Sequence, residues 1–194
     1  GAGPWGRNYI ATIKRAKGVF LARLASRNPE AADLVDGDCA VSDDWREVAE
    51  ATDIDGVIIA TPLQTHAAIA RAALSAGRAV LIEKPLTQDV GEARALGELA
   101  ATVNGCVFVG HIHLFSPAFL ALKKRLLSLS GPLNLVGEAG NMGPFRADAP
   151  ALWDWGAHDV AMCLELTGTM PSSVSTRALK RQVVEDGMGE IVAI

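Results

Sequence analysis

The chain has 194 residues, 49% hydrophobic and 21% charged, with 18 bases against 22 acids and a formal net charge of −4. That is globular composition, of a length for one domain or one domain plus part of another. The acidic balance excludes a broad basic surface for nucleic acid, no apolar run approaches the ~18 residues of a membrane span, and secretion is not expected from an opening without a charged and then apolar leader.

Strand-like and helix-like segments alternate along the chain. Gly6 to Lys17 predicts a helix closed by Gly18, and the apolar run Val19 to Ser26 a strand. Asn28-Pro29 reads as an N-cap with proline at the first helical position, opening a short helix to Val35. Cys39 to Val41 is a candidate short strand, and Asp43 a cap for a helix to about Ala51. Gly56 to Ala60 and Ala79 to Ile82 are short apolar runs bounded by turn signals, as buried strands are. Between them an alanine-rich helix, Gln64 to Ala76, closes at Gly77. Asp89 and Glu92 form a capping-box pattern for a helix over Val90 to Thr102, ended by Asn104-Gly105. Cys106 to Gly110 is the next expected strand, and Ser116-Pro117 begins a helix to about Ser128. This alternation predicts βαβ units and a parallel sheet. Beyond Gly131 the pattern predicts a strand over Leu133 to Ala139, a Gly, Pro and Asn-rich loop over Gly140 to Pro150, a helix around Ala157 to Leu164, and strands over Pro171 to Ala178 and Gly189 to Ile194 in a more antiparallel region.

Cys39, Cys106 and Cys163 are far apart and odd in number, which predicts reduced thiols in a cytoplasmic protein rather than a disulfide framework or zinc knuckle.

Gly1-Ala2-Gly3-Pro4-Trp5-Gly6 fits GxGxxG. In that pattern the first glycine permits a tight turn, the second lets a pyrophosphate approach the backbone, and the third lets helix pack on strand. The helix N-terminus that follows offers free N–H groups to phosphate. Alone, the pattern equally describes a glycine-rich turn without ligand. Where an NAD-binding chain would carry an acid for the ribose 2′-hydroxyl, this one has Ser26 and Arg27. Neither repels a 2′-phosphate and Arg27 can pair with one, so NADP is favoured over NAD. Arg27 as a solvated loop charge is the plainer alternative.

Three further motifs follow in order: Ala60-Thr61-Pro62-Leu63-Gln64-Thr65-His66, Glu83-Lys84-Pro85, and Asp154-Trp155-Gly156-Ala157-His158-Asp159. With the glycine loop they resemble the Gfo/Idh/MocA family, named for glucose-fructose oxidoreductase, inositol dehydrogenase and a rhizopine-catabolism protein. Gly110-His111-Ile112-His113-Leu114-Phe115-Ser116-Pro117-Ala118 also resembles the GHxxxFxPA segment of members acting on nucleotide-linked sugars. The resemblance implies an α/β protein. A Rossmann-type, doubly wound parallel sheet over 1–112 would be followed, over 113–194, by part of an α+β domain with a mostly antiparallel open sheet for substrate and subunit contacts. It implies NAD(P)-dependent hydride transfer to or from a secondary hydroxyl of a sugar, cyclitol or nucleotide-sugar, by a homodimer or homotetramer.

The resemblance makes Lys84 the catalytic lysine that polarises the substrate oxygen, and His158 the acid or base, suited by its ordinary titration range. Asp154 would orient that imidazole or bind a substrate hydroxyl. Gly1, Gly3, Pro4, Trp5, Gly6, Ser26, Arg27, Thr61, Pro62, His66, Glu83 and Lys84 would contact the dinucleotide. Lys84, His113, Asp154 and His158 would contact substrate. His66 reads alternatively as a helix-capping side chain, and Trp153 and Trp155 as core. His111 and His113, two apart, would share one strand face; zinc needs more converging ligands, so no metal is expected. A non-catalytic dinucleotide-binding sensor would keep the glycine loop but need neither Lys84 nor His158. A glycosidase using NAD transiently and a reductase of an imine or enal are further alternatives on the same scaffold. In a doubly wound sheet a central strand precedes the glycine loop, so a parent chain with apolar strand residues before Gly1 and more sheet after Ile194 is expected.

Overall fold

The computed structural model describes residues 1–140, 150–184 and 187–194. The chain divides into two compact units, Gly1–Gly110 and His111–Ile194.

In the first unit, α1 (Pro4–Ile13) begins on Gly3, with Pro4 in its first turn. It starts and ends earlier than expected, because the fixed φ of proline suits the first helical position and the chain then turns through Gly18 at φ 76°. β1 (Arg23–Ala25) is shorter than Val19 to Ser26 and pairs in parallel with β2 (Ala40–Ser42); Val19 and Phe20 are exposed rather than packed. The Asn28-Pro29 segment forms a 3-10 turn over Pro29–Leu34, with the Asn28 side chain accepting from Glu30 N–H. α2 (Arg46–Ala49) starts beyond the Asp43 expected to cap it, because the Asp44 carboxylate accepts from Arg46 N–H at 3.0 Å.

β3 (Gly56–Ile59), β4 (Ala79–Ile82) and β5 (Val107–Val109) form a parallel sheet in that order. α3 (His66–Ser75) connects β3 to β4, and α4 (Val90–Thr102) connects β4 to β5. Val57, Ile59, Val80 and Ile82 meet Ile69, Ala70, Leu74 and Leu96 in the main core, each large side chain contributing roughly 1.5–3 kcal/mol by burial. The strands are buried on alternate residues, not throughout: Ile58 is 36% and Phe108 48% exposed, because the core helices cover one face. The capping box at α4 is relayed. Asp89 accepts from Glu92 N–H, while the Glu92 carboxylate accepts from the Thr87 hydroxyl, which in turn accepts from Asp89 N–H. Asn104 leaves the helix at φ 49°.

β1 and β3 each carry a described ladder on one side only. A cavity of about 390 Å³, lined by every residue of both strands, lies there.

In the second unit, a 3-10 turn (Ile112–Phe115) leads into α5 (Pro117–Leu126), whose N-cap Ser116 accepts from Phe119 N–H. His113 therefore lies in a helical turn, not on a strand face with His111. Leu133 to Ala139 forms no strand and is exposed throughout, with no strand among the described residues paired to its backbone. Most of the expected loop over Gly140 to Pro150 lies outside the described residues. A π-helical turn (Leu152–Gly156) runs into α6 (Ala157–Thr167), which ends at Gly168 with φ 66°. β6 (Arg177–Val184) and β7 (Gly187–Ala193) pair antiparallel. Only the end of the expected Pro171 to Ala178 strand is paired, and the ladder runs on past it. No helix among the described residues is long and apolar enough to cross a membrane.

Candidate functional site

In the first unit the candidate residues follow strands at their carboxyl ends, the edge where open α/β sheets bind ligands. Ser26 and Arg27 follow β1, Thr61 and Pro62 follow β3, and Glu83 and Lys84 follow β4. The glycine loop lies against the β3 end: a Cβ on Gly1 would sit 2.8 Å from the Ala60 carbonyl oxygen and 3.3 Å from Thr61 Cγ2. A Cβ on Gly6 would fall 1.9 Å from the Gly1 carbonyl oxygen, whereas around Gly3 the space is open to 4 Å. The sequence thus folds so that two glycines close the turn and one faces outward. Gly3 is the N-cap of α1 and supplies no side-chain hydrogen bond there. Pro4 and Trp5 beside it are exposed. An open backbone cradle beside uncapped helix N–H groups fits a dinucleotide pyrophosphate.

At the end of β1, Ser26 Oγ accepts from Asn28 N–H at 3.1 Å, and Arg27 is exposed. Thr61 Oγ1 accepts from the Thr65 hydroxyl at 2.7 Å. Lys84 is half-buried and is joined to Pro85 by a cis peptide bond.

Glu83 is 8% exposed. Its carboxylate accepts from the Tyr9 hydroxyl at 2.6 Å and from Lys84 N–H at 3.3 Å. A Cβ on Gly110 would meet Glu83 Oε1 at 3.2 Å, so the glycine after β5 gives the carboxylate its room. Burial first, then the hydrogen bond and charge of Glu83, push the Tyr9 phenol well above its ordinary value. The sequence reading did not single out Tyr9. One turn beyond the glycine loop, its single polar atom had no partner identifiable from spacing, since Glu83 is 74 residues away.

His66 is 2% exposed. Its Nδ1 lies 3.0 Å from the Pro85 carbonyl oxygen and its Nε2 3.1 Å from that of Thr61. The ring therefore stands between the β3 and β4 loops.

In the second unit His111, His113 and His158 gather. The His113 and His158 rings are 4.3 Å apart at 89°, and those of His111 and His158 6.1 Å apart at 80°. His158 is 7% exposed. Asp154 lies in the π-helical turn before it, so their four-residue spacing crosses a change of helical register. Such turns are frequent at functional sites. Trp153 and Trp155 are half-buried. Among the described residues no group of three or more His, Cys, Asp or Glu side chains converges as a metal site would.

Residues 1–111 match the GFO/IDH/MocA profile, described as an oxidoreductase family with an NAD-binding Rossmann fold. The UDP-N-acetylglucosamine 3-dehydrogenase of Acidithiobacillus ferrooxidans is 36% identical over 137 residues, 69% of this chain and 42% of that protein. The scyllo-inositol 2-dehydrogenase (NAD(+)) of Bacillus subtilis is 30% identical over 176 residues, 87% of this chain and 52% of that protein. A crystal structure from Magnetospirillum magnetotacticum MS-1, assigned as an oxidoreductase, superposes with a TM-score of 0.93 at 48% identity, over 99% of this chain and 63% of that one. The chain spans about half the length of these two curated relatives. It belongs to the Gfo/Idh/MocA oxidoreductase family.

Proposed function

Within the Gfo/Idh/MocA family, we propose that this protein transfers a hydride between a nicotinamide dinucleotide and a secondary hydroxyl carbon of a sugar, cyclitol or nucleotide-sugar. The observation that carries the reading is the carboxyl edge of the first unit. There an open glycine cradle, Thr61-Pro62 and Lys84 follow parallel strands, in a family whose relatives are dehydrogenases of such compounds.

Gly1, Gly3, Pro4, Trp5 and Gly6 would hold the pyrophosphate, and Thr61 and Pro62 the nicotinamide half. Ser26 and exposed Arg27 would take the adenosine ribose, and with no acid at those positions NADP is favoured over NAD. The bound dinucleotide supplies the hydride acceptor or donor. Lys84 Nζ donates to the substrate oxygen and stabilises charge developing there. His158 takes or returns the hydroxyl proton, Asp154 holds the substrate or the imidazole in place, and His113 contacts substrate. Glu83 orients the lysine loop through its bond to Lys84 N–H. We further place the protein in the cytoplasm as a homodimer or homotetramer, with the exposed apolar Leu179 and Ile191 of β6 and β7 at the subunit contact.

The test is a screen of sugars, cyclitols and nucleotide-sugars with NAD⁺ and NADP⁺, read by reduced-nicotinamide absorbance. Substrate-dependent reduction is expected. Dinucleotide binding with no turnover on any of them would instead favour a sensor, and release of a leaving sugar without net reduction a glycosidase.

A further inference from the structure

We infer that His66 is a positioning residue that braces the lysine loop against the loop holding the nicotinamide half. The inference rests on the roles proposed above for Lys84 and Thr61, and goes beyond them by giving His66 work at neither ligand.

The geometry is specific. His66 opens α3, directly after the β3 loop in which Thr61 and Pro62 lie. Its ring is 2% exposed, so it has no broad face to offer a ligand. Both nitrogens meet backbone carbonyl oxygens, 3.0 Å away at Pro85 and 3.1 Å away at Thr61. Pro85 follows Lys84 directly, so the Nδ1 contact holds the Pro85–Leu86 peptide, one residue beyond the lysine. The Nε2 contact fixes Thr61 itself. The strands beneath hold only the bases of the two loops, through Glu83 N–H to the Ile59 carbonyl at 2.9 Å. Beyond that ladder bond, the His66 ring reaches both loops. A neutral imidazole carries a single ring N–H, so one of the two carbonyls accepts a hydrogen bond from the ring and the other is held against it by packing; an apolar side chain of equal size would make no such bond, and unmade hydrogen bonds to buried groups are costly.

The two arms are separable by substitution. In His66→Asn the amide nitrogen replaces Nδ1 and keeps the Pro85 arm. In His66→Gln it replaces Nε2 and keeps the Thr61 arm. His66→Phe fills the space and keeps neither. The experiment measures amide hydrogen exchange at Thr61, Leu63, Lys84 and Leu86 in the protein without added dinucleotide, alongside dinucleotide affinity, kcat and KM. His66→Phe should speed exchange in both loops roughly tenfold, the scale of one lost hydrogen bond, while the amides of α4 stay unchanged. Dinucleotide affinity should hold within about threefold, while kcat falls about a hundredfold, the scale of a 1 Å misplacement of a reacting group. His66→Asn should recover more of kcat than His66→Gln, because its arm adjoins Lys84. Exchange unchanged in both loops would overturn the inference, as would a His66→Phe protein with full kcat. If His66→Phe does not fold, the same two readouts on the Asn and Gln variants decide, and equal kcat and exchange in both would overturn it. Loops that loosen in a protein whose wild type transfers no hydride would sustain the brace and overturn the dehydrogenase reading instead.

Discussion

Replacing Gly6 by alanine places a methyl carbon 1.9 Å from the Gly1 carbonyl oxygen, where ordinary contact begins near 3.4 Å. The obstacle is backbone, not a side chain that can rotate, so the glycine loop and the start of α1 must part by more than an ångström. Overpacking of this kind costs roughly 1–3 kcal/mol, or about 2–12 °C in Tm for a domain this size. The same displacement breaks the cradle, and dinucleotide affinity should fall at least about tenfold, equivalent to ~1.4 kcal/mol. Gly3 is the internal control. Its extended backbone, φ −69° and ψ −176°, accepts alanine, and nothing lies within 4 Å of the added carbon. Gly3→Ala should therefore leave Tm within about 1 °C and weaken only the dinucleotide. Thermal melts paired with fluorescence titration of NAD(P)H separate the effects. A Gly3→Ala protein that binds the dinucleotide like wild type, or a Gly6→Ala protein with wild-type Tm, would refute the reasoning.

Other outcomes follow from the same geometry. The chain has one tyrosine, and its phenol is held above the ordinary value near 10 by burial and by Glu83. Tyrosinate absorbance should thus be absent from the folded protein at pH 11 and appear on unfolding in denaturant. Because the folded phenol binds its proton more tightly than the unfolded one, Tyr9 adds stability that is complete below pH 10 and declines as pH rises through the folded value. Tyr9→Phe should lower stability by roughly 1–3 kcal/mol, measured by urea unfolding, since it strips a hydrogen bond from a buried carboxylate. Arg27→Ala should weaken NADP by about tenfold to a hundredfold and NAD by less than about threefold, as expected for loss of a charge-assisted bond. Equal losses for both would contradict the proposed 2′-phosphate contact.

Local signals carried much of the first unit. Turn glycines, the Asp89 cap and short apolar runs fixed β3, α3, β4 and α4 almost to the residue, because each is closed by chemistry within a few positions. Errors came where distant packing decides. Val19 and Phe20 look like strand residues, yet the paired strand begins only at Arg23, where β2 supplies a ladder. Leu133 to Ala139 has strand composition but no neighbour strand among the described residues. His113 follows a strand by composition, but the chain turns into a 3-10 segment after Gly110. Among candidate site residues, the glycine loop and the strand-end motifs were legible from spacing. The Tyr9–Glu83 bond and the two-sided seating of His66 were not, because Tyr9 on α1 meets Glu83 from 74 residues away and His66 meets Pro85 only when β3 and β4 align.

The central claim is that the strand-end lysine serves hydride transfer rather than dinucleotide binding. It is tested most directly by comparing wild type with Lys84→Ala on the substrate that the screen yields, following reduced nicotinamide and dinucleotide affinity together. Turnover should fall by about a hundredfold to a thousandfold with dinucleotide affinity within about threefold of wild type. Undiminished turnover in Lys84→Ala would contradict it.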